Sequence, residues 1–231
     1  MIDPDAFVSP LAVIEQGAHV GPGTTIKAGV RIAAIARVGR DCVIDEGAVI
    51  GYGTGVERGP TIVGDNALVA THAVIYHSVN LGAGVKIRHH AVIREHVAIG
   101  AATSVGSGST IEHHVDIGEN CSIHGHCHLT DYSKIGNLVF IGPCFASFSD
   151  MALDYRRPHV HRGYAGVTIG DGARIGGRVT AMPGVEIGAE AVVGACSVIR
   201  GNLLGAMIHV GDPARAVGRV SPSHFVTSDT R

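Results

Sequence analysis

Aliphatic residues recur along this chain at every sixth position. They stand at Val8, Ile14, Val20, Ile26, Ile32, Val38, Ile44 and Ile50. Across Gly51–Ile62 the phase slips by one residue. The pattern then resumes at Val63 and runs without a miss through Val69, Ile75, Leu81, Ile87, Ile93, Ile99, Val105, Ile111, Ile117, Ile123, Leu129, Ile135 and Ile141. A last block runs Ile169, Ile175, Ala181, Ile187, Val193, Ile199. Neither the 3.6-residue period of a helix nor the two-residue alternation of a hairpin strand fits this spacing. A short fixed period marks a repeat architecture instead.

A second period lies on the first. Val63, Leu81, Ile99, Ile117 and Ile135 are each followed by glycine, at Gly64, Gly82, Gly100, Gly118 and Gly136. Three hexads therefore form one coil of three short strands, each aliphatic residue pointing inward and stacking on its equivalent one coil later. Glycine is expected at the corners because it relieves steric restriction there. Small residues such as Ala67, Ala73, Cys121 and Cys127 complete the interior, and the narrow core is expected to have no room for aromatics. The hexads predict about nine coils at the ~4.8 Å spacing of paired strands. The solenoid is placed at residues 1–200, with 149–166 extruded, and residues 201–231 form a C-terminal extension with a flexible tail. The Ser149–Gly166 loop breaks the repeat and carries Arg156, Arg157, His159, His161 and Arg162. Long loops on repeat scaffolds are often functional.

Composition narrows the class. Glycine accounts for 33 of 231 residues, about twice the usual ~7%. Hydrophobic residues reach 45%, which excludes a disordered chain. No apolar run approaches the ~20 residues of a membrane helix. A net charge of -2 argues against a nucleic-acid surface. The five cysteines form no CxxC pair, and with no export signal they fit a reducing, cytoplasmic setting.

Fifteen histidines are the oddity. The coil period aligns them into columns. His77, Glu95, His113 and Asp131 form one, alternating base and acid. His72, His90, Gly108 and His126 form a second, and Ser78, His96, His114 and Tyr132 a third. Adjacent coils lie about 4.8 Å apart, so His113 is expected beside both Glu95 and Asp131. A flanking carboxylate fixes an imidazole's tautomer and raises its basicity.

The repeated [Ile/Val/Leu]-Gly-x-x-x-x motif resembles that of the hexapeptide-repeat acyltransferases. The resemblance implies an all-β, left-handed parallel β-helix. The ending Val210-Gly211-Asp212-Pro213-Ala214-Arg215-Ala216-Val217-Gly218 is similar to that of sugar and nucleotide-sugar acetyltransferases. What it implies is a homotrimer with active sites between subunits, taking acetyl-CoA as acyl donor and a small-molecule acceptor, most often an amino group on a nucleotide-linked sugar. Direct attack would be assisted by a histidine base. Thr110–Gly118 resembles the segment carrying that histidine in nucleotide-aminosugar N-acetyltransferases, which points to His113, with Glu95 or Asp131 orienting it. His114 stands where those proteins commonly carry an acidic residue. His126 is the second candidate base, followed by His159 or His161. Gly176, Ala195, Arg200 and Arg215 are the expected CoA contacts. His77, Arg94, His96, Tyr132, Arg157 and His159 are the expected acceptor contacts. O-acetyl transfer stays open. So does the zinc chemistry of γ-class carbonic anhydrases, whose His-x4-His spacing His72 and His77 reproduce. The expected third ligand is missing, since Ala36 stands two coils upstream, and no metal is expected.

Overall fold

The computed structural model describes residues 1–53, 59–153, 155–160 and 163–226. Strands of two to five residues wind into three parallel sheets, one on each face of a triangular prism. The first face begins at Phe7–Val8, the second at Val13–Ile14 and the third at His19–Val20. The fold is an all-β parallel solenoid, consistent with a left-handed β-helix.

Each strand is short because six residues supply only two that extend along a face before the chain turns. Alternation along a strand places one side chain inward and one outward. Ile26, Ile32, Ile44, Ile50, Ile87 and Ile111 are fully buried, as the six-residue pattern requires. Burying one such side chain stabilises the fold by about 1.5–3 kcal/mol. The step between paired coils is 18 residues through most of the chain, as in Thr110↔His128. It widens to 25 across the first interruption, where Val49 pairs with Val74. It widens again to 34 across the second, where Lys134 pairs with Thr168.

The stack is taller than the hexads predict. The first face holds twelve strands, of which the last is antiparallel. Strand pairing outlasts the aliphatic pattern at both ends. Ile2 already bridges to Val20, and Met207–Val210 pairs with Val192–Val193 past the last hexad. Arg215–Arg219 then folds back on Met207–Val210 and closes that end.

Two expectations about packing are corrected. The core does admit an aromatic: Phe145 is fully buried. It occupies the position held by Cys127 one coil below and by Val179 one coil above. The glycine column also has a different cause. Gly64, Gly82, Gly100, Gly118 and Gly136 have ordinary negative φ. A Cβ on Gly100 would meet backbone carbon of Gly118 at 2.6 Å, and one on Gly82 would meet the nitrogen of Ala101 at 2.7 Å. Close approach between coils requires the glycine there. Among the described residues no helix is long and apolar enough to cross a membrane.

Candidate active site

The three histidine-bearing columns occupy two edges of the prism. At each edge the chain makes a two-residue turn whose second residue takes left-handed backbone geometry. On the first edge, between the first and second faces, these residues are His72, His90, Gly108 and His126, with φ between 58° and 66°. On the second edge, between the second and third faces, they are Ser78, His96, His114 and Tyr132, with φ between 56° and 60°. Left-handed geometry in a non-glycine residue is uncommon, and histidine is among the types that tolerate it. The residue before each of these on the second edge is His77, Glu95, His113 or Asp131. The coil period thus builds a ladder of turn side chains four coils high.

The rings on this ladder touch. His96 stacks on His114 at 4.7 Å and 26°, and His114 on Tyr132 at 5.3 Å and 27°. His77 meets His96 edge-on, and His113 meets Tyr132 edge-on at 5.5 Å. The Nδ1 atoms of His113 and His114 are 2.9 Å apart. The Nδ1 atom of His77 lies 3.1 Å from the Ser78 hydroxyl.

The carboxylates beside His113 have other partners. Arg94 donates from Nε and Nη2 to the two oxygens of Glu95, both at 2.9 Å. Its Nη1 donates to Glu112 at 3.1 Å. The Arg94 guanidinium also lies 5.2 Å from the centre of the Tyr76 ring. Its hydrogen bonds hold the Glu95 carboxyl down to about 2, with a smaller contribution from His113. Asp131 accepts the Thr130 hydroxyl at 2.8 Å. Glu95 interacts electrostatically with His113, but the hydrogen bonds it accepts at both oxygens come from Arg94.

Two excursions bracket the ladder on the same edge. The lower one rejoins the prism at Gly59, which donates its N–H to the Ser78 hydroxyl at 2.9 Å. The upper one leaves after Ala146–Ser147 and returns at Gly166, directly over Tyr132. Its two ends are held together by the Ala165 N–H donating to the Ser149 carbonyl at 3.0 Å. Arg157 and His159 are exposed on this loop, and Arg157 bonds to the Tyr155 carbonyl. His161 and Arg162 lie outside the described residues.

The remaining expected residues stand elsewhere. His126 is on the first edge, a whole face away from His113. Gly176 and Ala195 stack on adjacent coils of that first edge, with Arg178 and Cys196 at its turn positions. Arg215 begins the closing strand, opposite Val210. Arg200 sits at the far end of the second face, and both its Nε and Nη2 are held by Asp212, at 2.8 and 3.2 Å. His72 and His77 stand on different edges. Among the described residues, no three His, Cys, Asp or Glu side chains are placed to hold a metal ion.

Residues 166–201 match the family model described as bacterial transferase hexapeptide (six repeats). That segment of the chain therefore carries the hexapeptide repeat of that family. An 84-residue segment is 35% identical to 2,3,4,5-tetrahydropyridine-2,6-dicarboxylate N-succinyltransferase of Methylorubrum extorquens, over 36% of this chain and 30% of that protein. The match therefore spans under a third of the relative's length. Two solved structures share the fold. UDP-N-acetylglucosamine acyltransferase of Campylobacter jejuni is 20% identical with a TM-score of 0.64, covering 92% of this chain and 74% of that one. The acyltransferase of the same description from Francisella novicida is 17% identical with a TM-score of 0.58, covering 96% and 75%.

Within this hexapeptide-repeat prism, sequence reading placed His113 on its ladder but passed over three participants. Glu112 and Tyr76 complete the surroundings of Arg94, and the coil period was enough to align Arg94 with Glu112. His114 was set in its column and noted as a departure from an acidic residue, but not as a partner of His113. Its contact with His113 depends on turn geometry, which spacing does not report.

Proposed function

We propose that this protein is an acyl-CoA-dependent acyltransferase, with acetyl as the default acyl group and an amino group of a sugar-like acceptor as the nucleophile. The observation that carries this reading is the second edge itself. His113, an imidazole among rings and carboxylates, stands on a ladder bracketed below and above by the two breaks in the repeat. Acyl transfer to an amine needs a base for the nitrogen's proton, and a histidine near neutral pH suits that task. His113 takes the proton as the nitrogen forms its bond to the thioester carbon, the carbon–sulfur bond breaks, and His113 returns that proton to the departing sulfur to release the CoA thiol. Glu95, Glu112 and Asp131 outnumber Arg94 on this edge. The loop above the ladder on the same edge adds Arg156 and Arg157, so the edge as a whole presents both signs of charge.

Gly176, Ala195 and Arg215 supply small surfaces and a positive charge for the donor, which suits a long pantetheine and its phosphates. Arg200 is less suited, because Asp212 already holds it. These residues and His113 stand on different edges or at the closed end of the prism. We read the working unit as a homotrimer, in which the second edge of one protomer faces the first edge of its partner.

The test is release of CoA thiol by the full-length protein from acetyl-CoA or succinyl-CoA. Amino sugars, free and nucleotide-linked, amino acids and hydroxyl-only sugars serve as acceptors. Amine-dependent release is expected, and His113→Ala should lower kcat by at least ~10²-fold. No turnover of either thioester with any acceptor overturns the transferase reading. Near-normal turnover in His113→Ala overturns the role of His113.

A further inference from the structure

Two imidazole nitrogens 2.9 Å apart share one hydrogen. Either His113 donates from Nδ1 and His114 accepts, or the reverse. The two arrangements differ in consequence. A neutral His113 with its hydrogen on Nδ1 has its lone pair on Nε2. A His113 that accepts at Nδ1 carries its hydrogen on Nε2 and cannot act as a base there.

We propose that His114 is a positioning residue that sets the tautomer of His113, its Nδ1 lone pair accepting the His113 Nδ1–H and leaving Nε2 as the basic atom. The inference rests on the reading of His113 as the base. It assigns to a second histidine the work that a carboxylate was expected to do.

Three features favour this direction. The side-chain hydrogen bond of His113 runs to His114, while Glu95 accepts from Arg94 at both oxygens and Asp131 from Thr130 at Oδ1. His114 is held in place by a left-handed backbone with φ 56° and by rings on both sides, His96 and Tyr132. An orienting group has to be fixed before it can fix another. Finally, partial desolvation by its neighbours, together with the charges of His96 and His113, keeps the exposed His114 imidazole easier to deprotonate than an ordinary histidine, while Glu95 and Asp116 oppose this. A neutral His114 retains the lone pair that accepts. When His113 takes a proton, its Nδ1–H bond to His114 becomes charge-assisted and stronger. When acid protonates His114, that ring has only donors, and the arrangement is lost.

Two substitutions separate positioning from stacking. His114→Phe keeps the ring stack and removes the acceptor. His114→Asn keeps an acceptor oxygen, suits the left-handed backbone and removes the stack. Long-range ¹H–¹⁵N spectra of histidine-labelled full-length protein read the tautomer of His113 without any substrate. Wild type and His114→Asn are expected to carry the His113 hydrogen on Nδ1, and His114→Phe on Nε2. With acetyl-CoA and the amine found by the release assay, His114→Phe should lower kcat at least ~10-fold with KM within ~2-fold. His114→Asn should recover most of kcat. Its acidic limb should also differ from wild type, because an amide does not titrate.

A wild-type His113 carrying its hydrogen on Nε2, or the same tautomer in wild type and His114→Phe, overturns the proposal. So does a kcat preserved in His114→Phe and lost in His114→Asn, the pattern of a merely structural ring. His113→Ala stands apart: if it keeps its kcat the base reading fails, whatever the spectra show.

Discussion

Arg94 closes two parallel hydrogen bonds on Glu95, its neighbour in sequence, each 2.9 Å long. The pair is mostly shielded, with side-chain exposures of 32% and 22%. A carboxylate held down to about 2 adds stability that is fully present above its unfolded value and is lost as pH falls through its folded one. Glu95→Gln is therefore expected to cost about 1–3 kcal/mol at neutral pH after solvent screening. The difference from wild type should shrink between about pH 4.5 and 2. Denaturant titrations of both proteins across that range check it.

The glycine column makes a second prediction. A methyl group on Gly100 would press on backbone atoms of Gly118 and Glu119, at 2.6 and 2.7 Å. Both coils are pinned by ladder hydrogen bonds, from Gly100 to Ile117 and from Gly118 to Ile135. Gly100→Ala should destabilise by about 1–3 kcal/mol, the range of overpacking. Gly218→Ala, where an added Cβ would meet no atom beyond its chain neighbours within 4 Å, is the control and should be near neutral. Chemical denaturation of the two variants decides between close approach and corner flexibility as the cause.

Phe145 fills the core at the coil from which the long loop departs. Its truncation to alanine should cost about 3–5 kcal/mol, and to leucine considerably less. Local unfolding should begin at that coil. Amide exchange of Ala146, whose N–H donates to the Val179 carbonyl, should accelerate in Phe145→Ala.

The long loop leaves and rejoins the prism at one place. Its ends meet at Ser149 and Ala165, joined by a 3.0 Å hydrogen bond. Replacing residues 150–164 with a two-glycine linker should leave the thermal midpoint within a few degrees. If the loop contributes to the bracketed edge, the same deletion should sharply reduce acyl transfer. Calorimetry and the CoA-release assay on one preparation test both halves.

How far the sequence reached differs between fold and site. The aliphatic period gave the coil, the three faces and the inward column, because burial demands the same residue class at every equivalent position. The 18-residue alignment also put His77, Glu95, His113 and Asp131 on one line, since a solenoid stacks equivalent positions by construction. It did not give the edge on which each column stands. The period set His126 and His113 in different columns without showing that a whole face of the prism lies between those columns. Nor did it show that Arg94 would reach forward to Glu95 and up to Glu112, because a long side chain chooses among partners only once they are placed.

What the sequence by itself determined is therefore periodic: which residues are inside, which stack, and where the repeat is interrupted. These follow from hydrophobic burial and strand spacing, which act identically on every coil. What only the tertiary structure decided is local. Turn residues with left-handed φ bring His113 and His114 together, and coil-to-coil contact rather than corner geometry requires the glycines. Both breaks in the repeat open on the edge that carries His113. Such features depend on directions and distances between side chains, which spacing along a chain does not encode.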